Sequence, residues 1–337
     1  MLYRLLFVIP VLLLGFVPVV NAQVLEKEID VSPSPMSIAV DDSKLYVSSF
    51  EYPHISIIDL EKNEKTDFIS SSSTGVIAVE VIGEKIYASM KGANNLDIYD
   101  QDMSLIRTLE LPHSEITFDA LPSDELTHDQ TFETGGWDLV HNPNLGLLYV
   151  LDQGSGIIYV VDTSIDRIIE TFDIKVRPDS FAIDETTGIL VITSTIANTV
   201  NFVEPIIGSN GKFYAHKISG TIQLDSGPRD VQIDSKEHIA YVTNIGSNEL
   251  LKISILGQRV LETIPIEHPA RDIALDSDND VLYVSYQSKE IINRINLNTP
   301  SKQQVVYTDS PPWDIYYDNT NKKLYAAIKN DDKVTIY

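Results

Sequence analysis

The chain has 337 residues, 43% apolar and 22% charged, the balance of a folded globular protein and not of a disordered one. It contains no cysteine, which excludes disulfides, zinc–thiolate sites, c-type haem attachment and a cysteine nucleophile. Its net charge of −24 repels phosphate backbones and anionic lipid, so nucleic acid is not expected as a partner.

The first 22 residues read as an export signal. Met1-Leu2-Tyr3-Arg4 is a short n-region carrying the only charge of this segment. Leu5 to Val20 is apolar but broken by Pro10, Gly15 and Pro18, and Val20-Asn21-Ala22 suits cleavage before Gln23. An uncleaved anchor is the competing reading, but the run falls short of the roughly 20 residues a span needs. The chain from Gln23 onward then carries 24 basic and 49 acidic residues. It is expected outside the cytoplasmic membrane, with no stable membrane insertion after cleavage, as a monomer. No Asn-x-Ser/Thr sequon occurs.

From residue 24 onward one phrase recurs: a Pro or small residue, an alternating apolar run that mostly ends in Asp, a short turn, then Leu-Tyr-Val. The copies begin near Pro35, Val76, Gly136, Pro178, Pro228, Ala270 and Pro312. The tyrosine position falls at Tyr46, Tyr87, Tyr149, Val191, Tyr241, Tyr283 and Tyr325, with spacings of 41, 62, 42, 50, 42 and 42. In the fifth copy four strands are predicted, at 230–234, 239–243, 249–253 and 260–266, separated by turn residues. The fourth copy departs most, with Val191 for tyrosine and a long turn predicted over Pro205–Tyr214.

Four strands in about 42 residues cannot bury both faces of a sheet alone, but stacking such units around an axis buries them against each other. No copy has a helical period over ten residues, so a helical solenoid is excluded. The fold expected is an all-β, seven-bladed propeller occupying 23–337. The seventh copy stops at Tyr337 after three strands, and Val24-Leu-Glu-Lys-Glu-Ile29 resembles the fourth strand Val260-Leu-Glu-Thr-Ile-Pro-Ile266. Residues 24–30 are therefore expected to complete the last blade and close the ring.

Tyr241-Val242-Thr243-Asn244, following Gly227-Pro228-Arg229-Asp230-Val231, resembles the YVTN family of β-propeller repeats. The likeness covers nearly all of 24–337. It implies an exported propeller, often of seven blades, and no single activity.

The residues opening the inner strands are Met36-Ser37, Ile77-Ala78, Trp137-Asp138, Asp179-Ser180, Arg229-Asp230, Arg271-Asp272 and Trp313-Asp314. Both tryptophans of the chain fall at this one repeat position. Trp, Arg and Asp around one channel mouth suit a sugar, peptide or organic cation through stacking and charge-assisted hydrogen bonds. The candidate ligand-binding set is therefore Trp137, Asp138, Arg229, Asp230, Arg271, Asp272, Trp313 and Asp314. An Asp recurring in four copies equally suits a turn or a bond to the next blade, once per copy.

The 62-residue spacing holds an acidic insertion, 112–134, with His113, Glu115, Asp119, Asp124, Glu125, His128, Asp129 and Glu133. It leads into Trp137 and is expected near the mouth. No EF-hand or zinc spacing occurs in it, and a solvated acidic loop is the plain reading. No cofactor is expected; a divalent cation such as Ca²⁺ is the one the carboxylates would suit. Serine-hydrolase, zinc-protease, P-loop and dinucleotide motifs are absent. The leading expectation is a non-enzymatic module that binds an unidentified small molecule, glycan or protein at the channel mouth. Alternatives are a metal-dependent lactonase-like site on Asp138, Asp230, Asp272 and Asp314, a lyase-like site needing a histidine near the mouth, where no inner-strand entrance carries one but His268 lies two residues before Ala270, and a structural envelope component.

Overall fold

The computed structural model describes residues 24–41, 43–112 and 136–337, without the side chains of 136 and 137. The export segment and nearly all of the acidic insertion lie outside the described residues. Seven four-stranded antiparallel sheets follow one another along the chain. Their inner strands are Pro35–Val40, Val76–Ile82, Gly136–Asn142, Ser180–Asp184, Pro228–Asp234, Ala270–Asp276 and Asp314–Asp318, of blades 1 to 7. In the fifth blade the strands are Pro228–Asp234, Ile239–Asn244, Glu249–Ser254 and Arg259–Pro265, within about two residues of the sequence reading.

Composition changes across each blade as its surroundings change. Second strands are buried on both faces, so they open as unbroken apolar runs such as Ile239-Ala-Tyr-Val242, with the polar Thr243 and Asn244 buried after it. Outer strands keep little inward: of Arg259–Pro265 only Ile264 is buried. The recurrent tyrosines lie between blades. The Tyr46 hydroxyl donates to Asp41 (3.0 Å) and that of Tyr87 to Asp166 (2.8 Å). The recurrent Asp after the inner strand is a turn former. Asp41 accepts from the backbone of Ser43 and Lys44, and Asp318 from that of Thr320 and Asn321.

The apolar core is divided into seven clusters, one per blade junction. One joins Tyr241 and Leu250 of blade 5 to Ile273, Leu282 and Tyr286 of blade 6. Another joins Ile29, Val334 and Ile336 of blade 7 to Ile38, Leu45 and Val47 of blade 1. This last junction is where the ends of the chain meet. Lys27–Asp30 pairs antiparallel with Lys333–Ile336, Ile29 opposite Val334, and supplies the outer strand of blade 7. The ring is closed by the N-terminal strand, as the sequence indicated.

Blade 4 differs from its expected form. The turn predicted over 205–214 is instead a hairpin: its third strand runs to Ile207, its fourth begins at Phe213, and Pro205 pairs with His216. A proline survives inside this strand because its inner neighbour has already ended, the last pair there being Leu190 with Val203. No ladder bond is lost at that edge. The extended hairpin folds His216 against blade 3. Its Nδ1 lies 2.7 Å from a Glu170 oxygen and its Nε2 3.1 Å from the Tyr149 hydroxyl, with Phe172 and Phe213 beside the ring.

Candidate functional site

The inner strands surround a channel of about 760 Å³. Its mouth is formed at the entrances of the inner strands, where the pairing with the second strand breaks register. The break falls between Pro35 and Ile38, Val76 and Val79, Pro228 and Val231, and Ala270 and Ile273. Such a bulge frees the entrance residues from the ladder and re-aims them. The backbone N–H released there is taken up by a hydroxyl of the second strand. Ser37 donates to Ser48 (2.9 Å), Ala78 to Ser89 (3.0 Å) and Asp230 to Thr243 (2.8 Å).

All the candidate residues whose side chains are described line this one channel: Asp138, Arg229, Asp230, Arg271, Asp272, Trp313 and Asp314. The backbone of Trp137 lies in the inner strand of blade 3, and its side chain is outside the described part.

The aspartates carry a structural task. Asp230 accepts from the Ile273 N–H of blade 6 (3.0 Å), Asp272 from Ile315 of blade 7 (2.6 Å), and Asp314 from Ile38 of blade 1 (2.9 Å). Ser180 of blade 4 donates its hydroxyl to the other oxygen of Asp230 (2.8 Å). Asp138 breaks the pattern: among the described residues it accepts the N–H of its own neighbour Leu139 (2.8 Å) and none from the next blade.

The throat is rich in acid groups held against ionisation. Burial pushes Glu80 up to about 8 and Asp314 up to about 7. Burial, then the charges of Asp230 and Asp314, hold Asp272 well above the usual carboxylate range, and burial does the same for Asp138. These carboxyls can donate hydrogen bonds near neutrality. Glu80 was not foreseen, although it lies between Val79 and Val81 on an inner strand, where a charged residue must face the channel.

A second repeat position lies four residues after each recurrent tyrosine, at Phe50, Lys91, Gln153, Thr195, Ile245, Gln287 and Lys329, and Gln153, Thr195, Ile245 and Gln287 of this set line the channel. The repeat offset was available in the sequence, but its meaning depends on the fold. Arg271 has its guanidinium carbon 3.2 Å from the centroid of the Trp313 ring and donates from Nε to the Trp313 carbonyl (3.2 Å). Lys329 lies 3.7 Å from that ring and 4.8 Å from Phe50, and Lys91 lies 3.7 Å from Phe50. Cations and aromatic rings thus alternate across blades 6, 7, 1 and 2. Contacts of this kind contribute about 0.5–2 kcal/mol each. Trp313 and Arg271, both expected to contact a ligand, also contact each other.

Blades 4 and 5 present a different surface. Arg177, one residue before Pro178, stands beside Asp179 and Arg229. Asp179 is engaged by the Thr195 N–H (2.6 Å) and the Gln153 amide (3.4 Å).

Among the described residues no group of three His, Asp or Glu side chains is placed to hold a metal ion. No helix there is long and apolar enough to cross a membrane. His268, weighed for a lyase-like site, meets Tyr286 edge-on, with ring centroids 5.6 Å apart. His141 does line the channel, with burial lowering its pKa.

Seven four-stranded blades closed by a terminal strand around a lined channel define the class: a seven-bladed β-propeller. The solved structures agree. A chain in the crystal structure of the mitotic checkpoint complex superposes with a TM-score of 0.70 at 11% identity, over 100% of this chain and 98% of that one. Matches to 1638 chains in all make the fold too widely shared to indicate an activity. No family model and no curated protein matches the sequence.

Proposed function

We propose that this is an exported ligand-binding propeller of the YVTN-repeat type, taking its ligand or protein partner at the channel mouth without catalysing a reaction. Export is supported by the first 22 residues, and the repeat type by Tyr241-Val-Thr-Asn and its relatives around the ring. The observation that carries the reading is the mouth itself. Two repeat positions, contributed by successive blades, bring Arg229, Arg271, Trp313, Gln153 and Gln287 to one rim, and Arg177 lines the channel with them. Guanidinium, indole and amide groups are the residue types that recognise ligands on propeller and other surfaces. Against an enzyme stands the commitment of Asp230, Asp272 and Asp314 to backbone N–H groups of the next blade.

The test uses the two tryptophans, both at this repeat position. A ligand found by screening is expected to shift tryptophan emission, and to lose affinity when Trp313 and Trp137 are replaced by Ala. A confirmed ligand that leaves the emission unmoved and binds the double variant at full strength would sink the reading.

A further inference from the structure

One residue of each inner strand stands opposite the recurrent tyrosine position of the second strand. In blades 1, 3, 4 and 6 it is alanine or valine. In blades 2, 5 and 7 it is Glu80, Gln232 and Tyr316. A position filled by a small apolar group in four blades does not need polar groups in the other three to build the ring. These three side chains line the channel two residues further along the strands than the entrance positions, with His141 of blade 3 beside them. Glu80 and Tyr316 are close enough for the carboxyl to act on the phenol. The aspartates above are bonded to the next blade, but among the described residues none of these four side chains makes a hydrogen bond or ion pair to the chain. They are also predominantly neutral at pH 7. Burial holds the proton of Glu80 up to about 8 and that of Tyr316 up to about 12, and it lowers the pKa of His141.

Resting on the channel mouth as the way in, we infer that this layer of the throat holds the ring of an uncharged sugar, bonded by Glu80, His141, Gln232 and Tyr316. A sugar hydroxyl both donates and accepts. So does each of the four groups: the carboxylic acid, the neutral imidazole, the amide and the phenol. Between them Val140, Ala182 and Ile233 supply apolar wall for the C–H faces of the ring, and Tyr316 adds an aromatic face. The channel volume of about 760 Å³ falls within the roughly 300–1,000 Å³ of small-molecule sites. A charged guest fits this layer less well. An anion meets the aspartates that line the same channel. An organic cation finds Glu80 protonated, and has to draw that proton off before it gains a counter-charge.

Calorimetric titration of the purified protein at pH 7 tests this with glucose, galactose, mannose and maltose, and with choline and succinate as charged probes. At least one sugar should bind saturably by about 10 mM, where even a millimolar site is mostly filled, and neither charged probe should. Gln232→Leu should weaken the sugar about tenfold, since it removes a donor and an acceptor together. Tyr316→Phe keeps the ring and loses the hydroxyl, and should weaken it about threefold. Glu80→Gln keeps a neutral donor and acceptor in the same shape and should bind as the parent does. Failure of every sugar to bind by about 10 mM would overturn the assignment. So would full-strength binding of the sugar by both Gln232→Leu and Tyr316→Phe, or choline or succinate taking the site in place of the sugars. A sugar lost with Trp313→Ala but indifferent to Gln232 and Tyr316 would remove the throat site and leave the mouth as the binding site. A sugar weakened by Gln232→Leu but indifferent to Trp137 and Trp313 would keep the throat site and defeat the mouth as a contact.

Discussion

The two arcs of the ring are built from the same repeat but held differently. From blade 5 through 6 and 7 to blade 1, each entrance aspartate reaches over and accepts the backbone N–H of the next blade. Ser37 extends the series weakly to Val79 of blade 2 (3.4 Å). Around blade 3 the stitching stops. Ala78 has no group to offer, and Asp138 turns back on Leu139. The stitched arc also contains the joint between the ends of the chain, where failure would open the ring. The unstitched arc is where the acidic insertion departs. A repeat can thus concentrate its entrance-aspartate bonds where closure needs them and leave the insertion to blades that lack them.

Removal of 24–31 strikes the stitched arc hardest. It deletes the outer strand of blade 7 and the buried Ile29 and Val31. Each such side chain contributes about 1.5–3 kcal/mol on burial. The melting temperature should fall by about 10 °C or more, and an unchanged melt would refute closure as a source of stability.

Gly75→Ala comes next. A Cβ there would lie 2.1 Å from the backbone oxygen of Phe50, so blades 1 and 2 must part. The cost expected is about 1–3 kcal/mol, as for other overpacked sites. Chemical denaturation would show it, with the Phe50–Lys91 contact disturbed at the same time.

The two arcs are compared directly by Asp314→Ala and Asp138→Ala. The first leaves the N–H of buried Ile38 without its acceptor and should cost about 1–3 kcal/mol. The second removes a buried carboxyl with only a local bond and should cost less than half as much. Equal losses in urea melts would erase the distinction between the arcs.

The smallest effect is a pH dependence. Asp314 is raised from 3.8 to about 7 and Glu80 from 4.5 to about 8, so the folded chain keeps protons that the unfolded chain has lost. Stability must then fall as pH rises from about 4 to about 8, the reverse of the usual paired carboxylate. Glu80→Gln should flatten the upper part of that fall. The variant should gain on the parent steadily from pH 5 to pH 8 in thermal melts.

Much of this was open to reading in the sequence. The recurrent tyrosine fixed the number of blades, because its position is buried once per junction. The partial seventh repeat and the strand-like 24–30 fixed the closure, because an unpaired edge and an unpaired strand have only each other. The shared repeat position of Trp313, Arg229 and Arg271 was legible in the sequence, and these three residues line one channel. What the repeat could not carry was anything depending on contacts between blades. Pro205 looked like a turn residue, and its place in a strand follows from where Leu190 and its strand end. Arg177 and Arg229 stand far apart in the chain and become neighbours only when blades 4 and 5 dock. That Trp313 stacks with Arg271 and Lys329 was visible only once the ring brought blades 6 and 7 together. The protonation of Glu80 likewise needs the walls of the channel around it. Local pattern determines strands, blades and their count, since alternation and turns act within a few residues. Charge balance and protonation are set by distances through space, and those the tertiary structure alone decided.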